Sequence, residues 1–220
     1  MRLLLSGLLE TCHRGGGLSY NILLVGVGGQ GVLLASTVMG NAAMDEGLEV
    51  VMSELHGMAQ RGGSVTASVR IGKDVKSPLI QKGGADVLLG FEPAETYRYL
   101  PFANKSTNIV LNVRPIIPIQ VSMGAERYPE VDEILYAIRQ VNDHLLPIDA
   151  DDLALRGGNR MTVSSVLIGA ICALDGFPIP RETLVHALLE RVPAKYTEVN
   201  AKAFELGYDK TKADILKSQS

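Results

Sequence analysis

Gly26, Gly28 and Gly31, in the stretch Gly-Val-Gly-Gly-Gln-Gly, follow an apolar run and open a helical pattern. The first glycine permits a tight turn. The second lets a ligand approach the backbone, and the third allows the helix to pack close to the strand. The free N–H groups of the helix start would then face a phosphate or other anion. The spacing fits such a site, with Gly26, Gly28, Gly29, Gln30 and Gly31 as cofactor-binding candidates, and it also fits three glycines that simply let strand and helix turn with no ligand.

A dinucleotide-binding chain would next place a ribose-binding acid at the end of its second strand and pass into a helix. Residues 53–65, SELHGMAQRGGSV, supply Glu54 at that place but then Gly57, Gly62 and Gly63, which deny the helix. Glu54, His56, Gln60 and Arg61, with Gly62-Gly63 behind them, form a polar loop at a strand's carboxyl end, where open α/β sheets seat ligands. Arg61 could grip a carboxylate or phosphate through two hydrogen bonds, and His56 could titrate near neutrality. The plainer reading is a solvated loop with a Glu54–Arg61 ion pair. The residues alone leave a ligand site and a protein interface both open.

A third candidate is LRGGNRMTVSS, residues 155–165. Arg156 and Arg160 flank Gly-Gly-Asn before a helix, a positive entrance that can hold an anion. Its alternative is a turn with Thr162 as helix cap. Ser164 and Ser165, on an otherwise apolar helix, read as close packing rather than nucleophiles. His13, His56, His144 and His186 are scattered, so no metal site is expected, and His186 reads as a helix-surface residue. No Gly-x-Ser-x-Gly elbow or phosphate-loop lysine occurs, and no catalytic residue is identified.

The elements that must carry these residues follow from apolar spacing. Residues 21–28 and 85–91 are continuous apolar runs that suit strands buried on both faces. Residues 48–54 and 107–113 are further strands, and 64–72 alternates apolar with Ser and Thr, a strand with two unlike faces that suits an antiparallel neighbour. Helices are expected from Gly29 to Glu46, ended by Gly47, and from Pro93 to Leu100. A further helix at 131–142 carries Val131, Ile134, Leu135, Ile138 and Val141 on one face. Prolines exclude 114–124 from the sheet centre. Residues 144–151 lead from a short strand into a helix, 161–174 is apolar nearly all round and should be buried, and 182–192 and 195–209 close the chain as helices. The expected fold is α/β: an open, mostly parallel sheet with helices on both faces and a helical C-terminal third.

With 220 residues, 46% apolar and 20% charged, the chain can bury a core as one domain, expected over 21–215. Residues 1–20 read as a loosely ordered extension that start-site choice would account for. Its apolar run is broken by Ser6 and Gly7 and meets Glu10, with no cleavage site of the secretory kind. A net charge of −3 gives no reason to expect nucleic acid, no run approaches the ~18–20 apolar residues of a membrane span, and the expected location is the cytoplasm. Cys12 and Cys172 read as free thiols, too few for a cubane cluster, which takes about four cysteines.

GVGGQGVLLAS, SELHGMAQRGGSVTASVRIG, ADVLLGFEPAE, GNRMTVSSVLIGA and EVNAKAFELGY, in that order over residues 21–209, resemble the gamma-type subunit of 2-oxoacid:ferredoxin oxidoreductases. HGMAQRGG is most similar to the small beta subunit of the indolepyruvate branch. The resemblance implies a complex that oxidatively decarboxylates an aryl 2-oxoacid to an acyl-CoA and reduces ferredoxin. It implies that thiamine diphosphate, Mg and 4Fe-4S clusters sit in a large alpha subunit, with CoA as co-substrate and no cofactor held by this chain alone. Glu54, His56, Gln60, Arg61, Gly62, Gly63, Asn159 and Arg160 match family motifs and are candidates for contact with substrate, CoA or the partner. The helix 161–174 and Met58 are candidates for the centre of a subunit interface. The alternatives are a stand-alone nicotinamide- or flavin-binding oxidoreductase and a non-catalytic nucleotide- or acyl-CoA-binding module.

Overall fold

The computed structural model describes residues 19–56, 63–73, 75–117 and 127–218. Six strands form one sheet: β1 (Tyr20–Val27), β2 (Val50–His56), β3 (Ser64–Ile71), β4 (Val87–Gly90), β5 (Asn108–Asn112) and β6 (Leu145–Ile148), in the order β2-β3-β1-β4-β5-β6. β1 is parallel to β4, β4 to β5 and β5 to β6, while β3 runs antiparallel to both β1 and β2. Five strands therefore share one direction and β3 alone opposes it, as its alternating pattern suggests. The polar face of β3 is buried as well: Thr66 and Ser68 are 6% and 7% exposed, and the Ser68 hydroxyl donates to the Pro78 carbonyl at 2.7 Å.

Helices cover both faces. On one side lie α1 (Val32–Asp45), α4 (Ala150–Gly157), α5 (Val163–Cys172), α6 (Arg181–Arg191) and α7 (Thr197–Ser218), whose apolar residues join Ile22, Leu24, Val87 and Val110 of the strands. On the other, α2 (Pro93–Arg98) and α3 (Val131–Arg139) meet Leu23, Val25, Leu88 and Ile109. The period-two alternation of β1 is what divides Ile22 and Leu24 from Leu23 and Val25. Gly47, at φ 70°, ends α1: its N–H donates to Met44 and that of Leu48 to Ala43, the paired bonds of a left-handed helix stop. α3 buries Ile134, Leu135 and Ile138, but its last turn ends sooner than the pattern suggests and Val141 is 57% exposed. α7 runs past residue 209 to Ser218.

The helix expected at 161–174 starts with a 3₁₀ turn at Arg160–Thr162 and continues as α5, in which Val166, Leu167, Ile168, Ala170 and Ile171 are fully buried. Its burial is within this chain. It therefore cannot form the centre of a subunit interface, and Met58, the other candidate, lies outside the described residues. α5 and α7 pack backbone to backbone. A Cβ on Gly169 would stand 2.0 Å from the Phe204 carbonyl oxygen, and one on Gly207 would stand 1.9 Å from that of Val166. The Ser165 hydroxyl donates to Asn200 of α7 at 2.6 Å, the packing role expected of it.

Gly207→Ala and Gly169→Ala force carbonyl groups apart and should each cost about 1–3 kcal/mol or more in denaturant unfolding. Gly157→Ala, whose Cβ would find its nearest atom at 3.4 Å, should be neutral or stabilising by up to about 1 kcal/mol.

Candidate functional site

The carboxyl ends of β1, β2, β4, β5 and β6 lie along one edge of the sheet, and the glycine turn sits where the chain's path from β1 divides. β1 connects through α1 toward β2 on one side, while β4 lies on the other. Crevices of this kind are where open α/β sheets hold ligands. Here much of the turn is engaged within the chain. The Gly28 N–H donates to the Gly63 carbonyl at 2.9 Å. The Gln30 side chain accepts from the Val27 N–H and donates to the Phe91 carbonyl, both at 2.8 Å, joining the ends of β1 and β4. A Cβ on Gly26 would meet Phe91 Cβ at 2.7 Å. Gly31, at φ 85° and ψ 21°, precedes α1, which has no side-chain cap, and a Cβ there would meet Ser164 at 3.0 Å. Gly29 opens onto free space.

Glu54 is not beside this turn. It lies opposite Ala67, which lies opposite Leu24, so β3 stands between Glu54 and β1. Two strand spacings amount to about 10 Å, and Leu24 is four residues short of Gly28, about 13 Å along the strand. The Ser36 hydroxyl of α1 holds the Glu54 carboxylate at 3.0 Å. This is a different geometry from a ribose-binding acid, which needs its strand next to β1. His56 ends β2, its backbone opposite Val65, and Gly63 supplies the carbonyl for Gly28. Gln60, Arg61 and Gly62 lie outside the described residues, and with them the Glu54–Arg61 ion pair.

Arg160 is joined to the glycine turn through a chain of polar contacts. Its Nε donates to Asp151 at 3.3 Å. The Asn112 amide donates to Asp151 at 3.2 Å and to the Phe91 carbonyl at 3.3 Å, the same carbonyl that Gln30 uses. Asn159 accepts from the Met161 N–H at 3.0 Å and so caps the 3₁₀ turn. Thr162 precedes α5 but its hydroxyl donates back to the Asn159 carbonyl at 2.7 Å, so it does not cap α5 as the alternative reading of this stretch had it. The Arg160 side chain is 79% exposed and Met161 82% exposed, so a cation and an apolar group stand side by side at the edge. Arg114 forms a two-pronged pair with Asp149 at 3.0 and 2.6 Å. Partial burial pushes the Asp149 carboxyl up, but Arg114 and the Asp152 N–H outweigh it and hold the group below the usual carboxylate range. His186 lies on the helix surface as expected, 3.5 Å from Glu190.

A buried acidic pair at the same edge escaped sequence reasoning. Glu92, 1% exposed, accepts from the Tyr128 hydroxyl, the Glu95 N–H at 2.9 Å and the Ile116 N–H at 3.4 Å. Glu95, 8% exposed, accepts from Ser64 at 2.6 Å and pairs with Arg98 at 3.3 Å. Burial raises the Glu92 carboxyl above its ordinary value, against the lowering effect of its three donors, and the Glu95 charge adds to the rise. Burial, with the Glu92 carboxylate, likewise pushes the Tyr128 hydroxyl up. The available signal was Glu-Pro directly after a buried strand: proline at the first helical position with an acid before it marks a capped helix start. For Asn112 and Asp151 no local signal exists, since each is polar only in a way that any loop residue could be.

A carboxyl with a raised folded-state value takes up its proton before the unfolded chain does. Its contribution to stability is present below the ordinary value near 4.5 and is lost as pH rises through the raised value. The unfolding free energy of the parent protein should fall over that window relative to Glu92→Gln, and the difference between the two should be flat outside it. Glu92→Ala removes the acceptor of Tyr128, Glu95 and Ile116 and should cost about 1–3 kcal/mol at every pH, as read from urea melts.

The sequence profile described as Pyruvate ferredoxin/flavodoxin oxidoreductase matches residues 21–210. The chain is 45% identical over 189 residues to the indolepyruvate oxidoreductase subunit IorB of Archaeoglobus fulgidus, covering 86% of this chain and 94% of the relative. It is 45% identical, with the same coverage, to IorB of Pyrococcus horikoshii. The crystal structure of a keto/oxoacid ferredoxin oxidoreductase gamma subunit from Geobacter sulfurreducens superposes with a TM-score of 0.64 at 26% identity, covering 88% of this chain and 99% of that one. The fold is thus shared with a gamma subunit of this kind, and the chain belongs to the pyruvate ferredoxin/flavodoxin oxidoreductase family.

Proposed function

We propose that the chain is the small subunit of an indolepyruvate:ferredoxin oxidoreductase, which oxidatively decarboxylates aryl 2-oxoacids with CoA to aryl-acetyl-CoA and CO2 while reducing ferredoxin. The observation that carries this is the 45% identity to IorB of Archaeoglobus fulgidus across 94% of that subunit's length. The redox and thiamine chemistry belongs to a large alpha subunit. When bound there, thiamine diphosphate with Mg supports decarboxylation, and 4Fe-4S clusters carry the electrons. This chain has two cysteines against the about four that a cubane cluster takes. One of them, Cys172, has its thiol pushed up to about 11 by burial, which disfavours the thiolate a cluster needs.

The working unit is residues 21–215, with 1–20 an extension to it, and the chain functions in the cytoplasm. Among the described residues no helix is long and apolar enough to cross a membrane. The carboxyl edge of the sheet is the face that meets the alpha subunit and CoA. Ile116, Ile117 and Met161, exposed at 39%, 46% and 82%, supply its apolar contacts, and Arg160 supplies a cation for a phosphate or carboxylate. Gly29 and Gly31, with the uncapped start of α1, lie on the same edge of the sheet. Glu54, His56, Gln60, Arg61, Gly62, Gly63 and Asn159 complete the candidate contact set.

Indolepyruvate- and CoA-dependent reduction of ferredoxin should require this chain and its alpha subunit together. Turnover by either chain alone, or stabilisation of the lone chain by NAD or FAD, would overturn the assignment. In the reconstituted complex, Arg160→Ala should raise the KM for CoA about tenfold or more with kcat kept, the loss of one charge-assisted contact. Unchanged kinetics and unchanged assembly would remove Arg160 from the site.

A further inference from the structure

β2 stands at one end of the strand order and, among the described residues, pairs on one side only, with β3. The other end of the sheet, β6, has four residues and contains Pro147, which offers no N–H to a further strand. β2 has seven residues and contains neither proline nor lysine. Sheet edges are usually blunted by shortness, proline or charged side chains; β2 carries one carboxylate, Glu54, held by Ser36 of α1, and is otherwise suited to receive another strand.

The register fixes which groups face outward. Gly72 donates to the Glu49 carbonyl at 2.9 Å, so Glu49 and Gly72 form a hydrogen-bonded pair of the β2–β3 ladder. Such pairs alternate along an antiparallel ladder. Val51, Ser53 and Leu55 therefore turn their backbone groups toward β3, and Val50, Met52, Glu54 and His56 turn theirs outward.

We propose that this edge pairs with β2 of a second copy of the chain, antiparallel about a two-fold axis at Ser53. In this register Val50 meets His56 of the second copy and Met52 meets Glu54, each pair using outward-facing N–H and carbonyl groups. Val51 meets Leu55 and Ser53 meets Ser53 in the non-hydrogen-bonded positions, where side chains come closest. Leu55 is 63% exposed in the single chain, and the pairing lays it against half-buried Val51 on the same face of the sheet. Glu54 faces Met52, so no like charges are opposed. The two neighbouring registers that keep outward groups paired are worse: one sets Glu54 against Glu54, and the other sets Leu55 against Glu49. A two-fold contact of this kind is self-complementary, as a closed pair of identical subunits requires.

The test uses the full chain. Sedimentation from about 1 to about 100 µM should give a concentration-dependent dimer, and Leu55→Lys should raise its Kd about tenfold or more with the circular dichroism spectrum unchanged. Ser53→Cys should form an intermolecular disulfide under mild oxidation, because non-hydrogen-bonded partners bring Cβ atoms to about 4.5–5.5 Å. Met44→Cys, exposed but off the strand, should cross-link no more than the parent chain. A monomer throughout the range, a dimer indifferent to Leu55→Lys, or Ser53→Cys cross-linking no better than Met44→Cys overturns the proposal. So does cross-linking of Ser53→Cys to the alpha subunit instead of to a second copy when both are present.

Discussion

The bond from the Gly28 N–H to the Gly63 carbonyl holds the start of β3 against the end of β1, and the layout of the sheet's carboxyl edge depends on it. Because β3 lies between β1 and β2, the second strand is displaced by one strand spacing from the place it holds in a dinucleotide-binding sheet. Glu54 goes with it and is taken up by Ser36. The glycine turn keeps the shape of an anion-binding loop but exchanges one of its amides for sheet continuity. Gln30 then closes the gap on the β4 side by joining Val27 to Phe91.

What remains at this edge is a polar lattice supported by apolar packing. The Phe91 carbonyl is shared by Gln30 and Asn112, and Asn112 leads through Asp151 to Arg160. In a partly buried setting such contacts reinforce one another, and the exposed end, Arg160, is held by groups that are themselves held. The Glu92–Tyr128 pair does the same for the segment after β5, tying the Ile116 backbone to the start of α2. Ile116, Ile117 and Met161 stand exposed beside these contacts.

Behind the edge, α5 and α7 touch through Gly169 and Gly207 with no side chain between them. This contact sets how far α5 can sit from the sheet, and hence where Ser164 meets Gly31. The apolar sequence of α5 could have served a partner interface or an internal core. Its burial against α7 and the strands assigns it to the core.

Sequence alone determined the elements and their kind. The runs at 21–28 and 85–91, the alternation at 64–72 and the stop at Gly47 are written in local patterns of apolar spacing and backbone freedom, and these patterns need no partner to be read. It also bounded the metal chemistry, since two cysteines are fewer than the about four a cubane cluster takes. Only the tertiary structure decided which residues meet. That β3 would insert between β1 and β2, that Glu54 would be carried away from Gly28, that Arg160 would reach Gln30 through Asn112, and that Glu92 would be buried under Tyr128 all depend on strand order and long-range contact. Pairing order is fixed by the summed packing of both sheet faces rather than by any one segment. No local pattern could therefore have announced it.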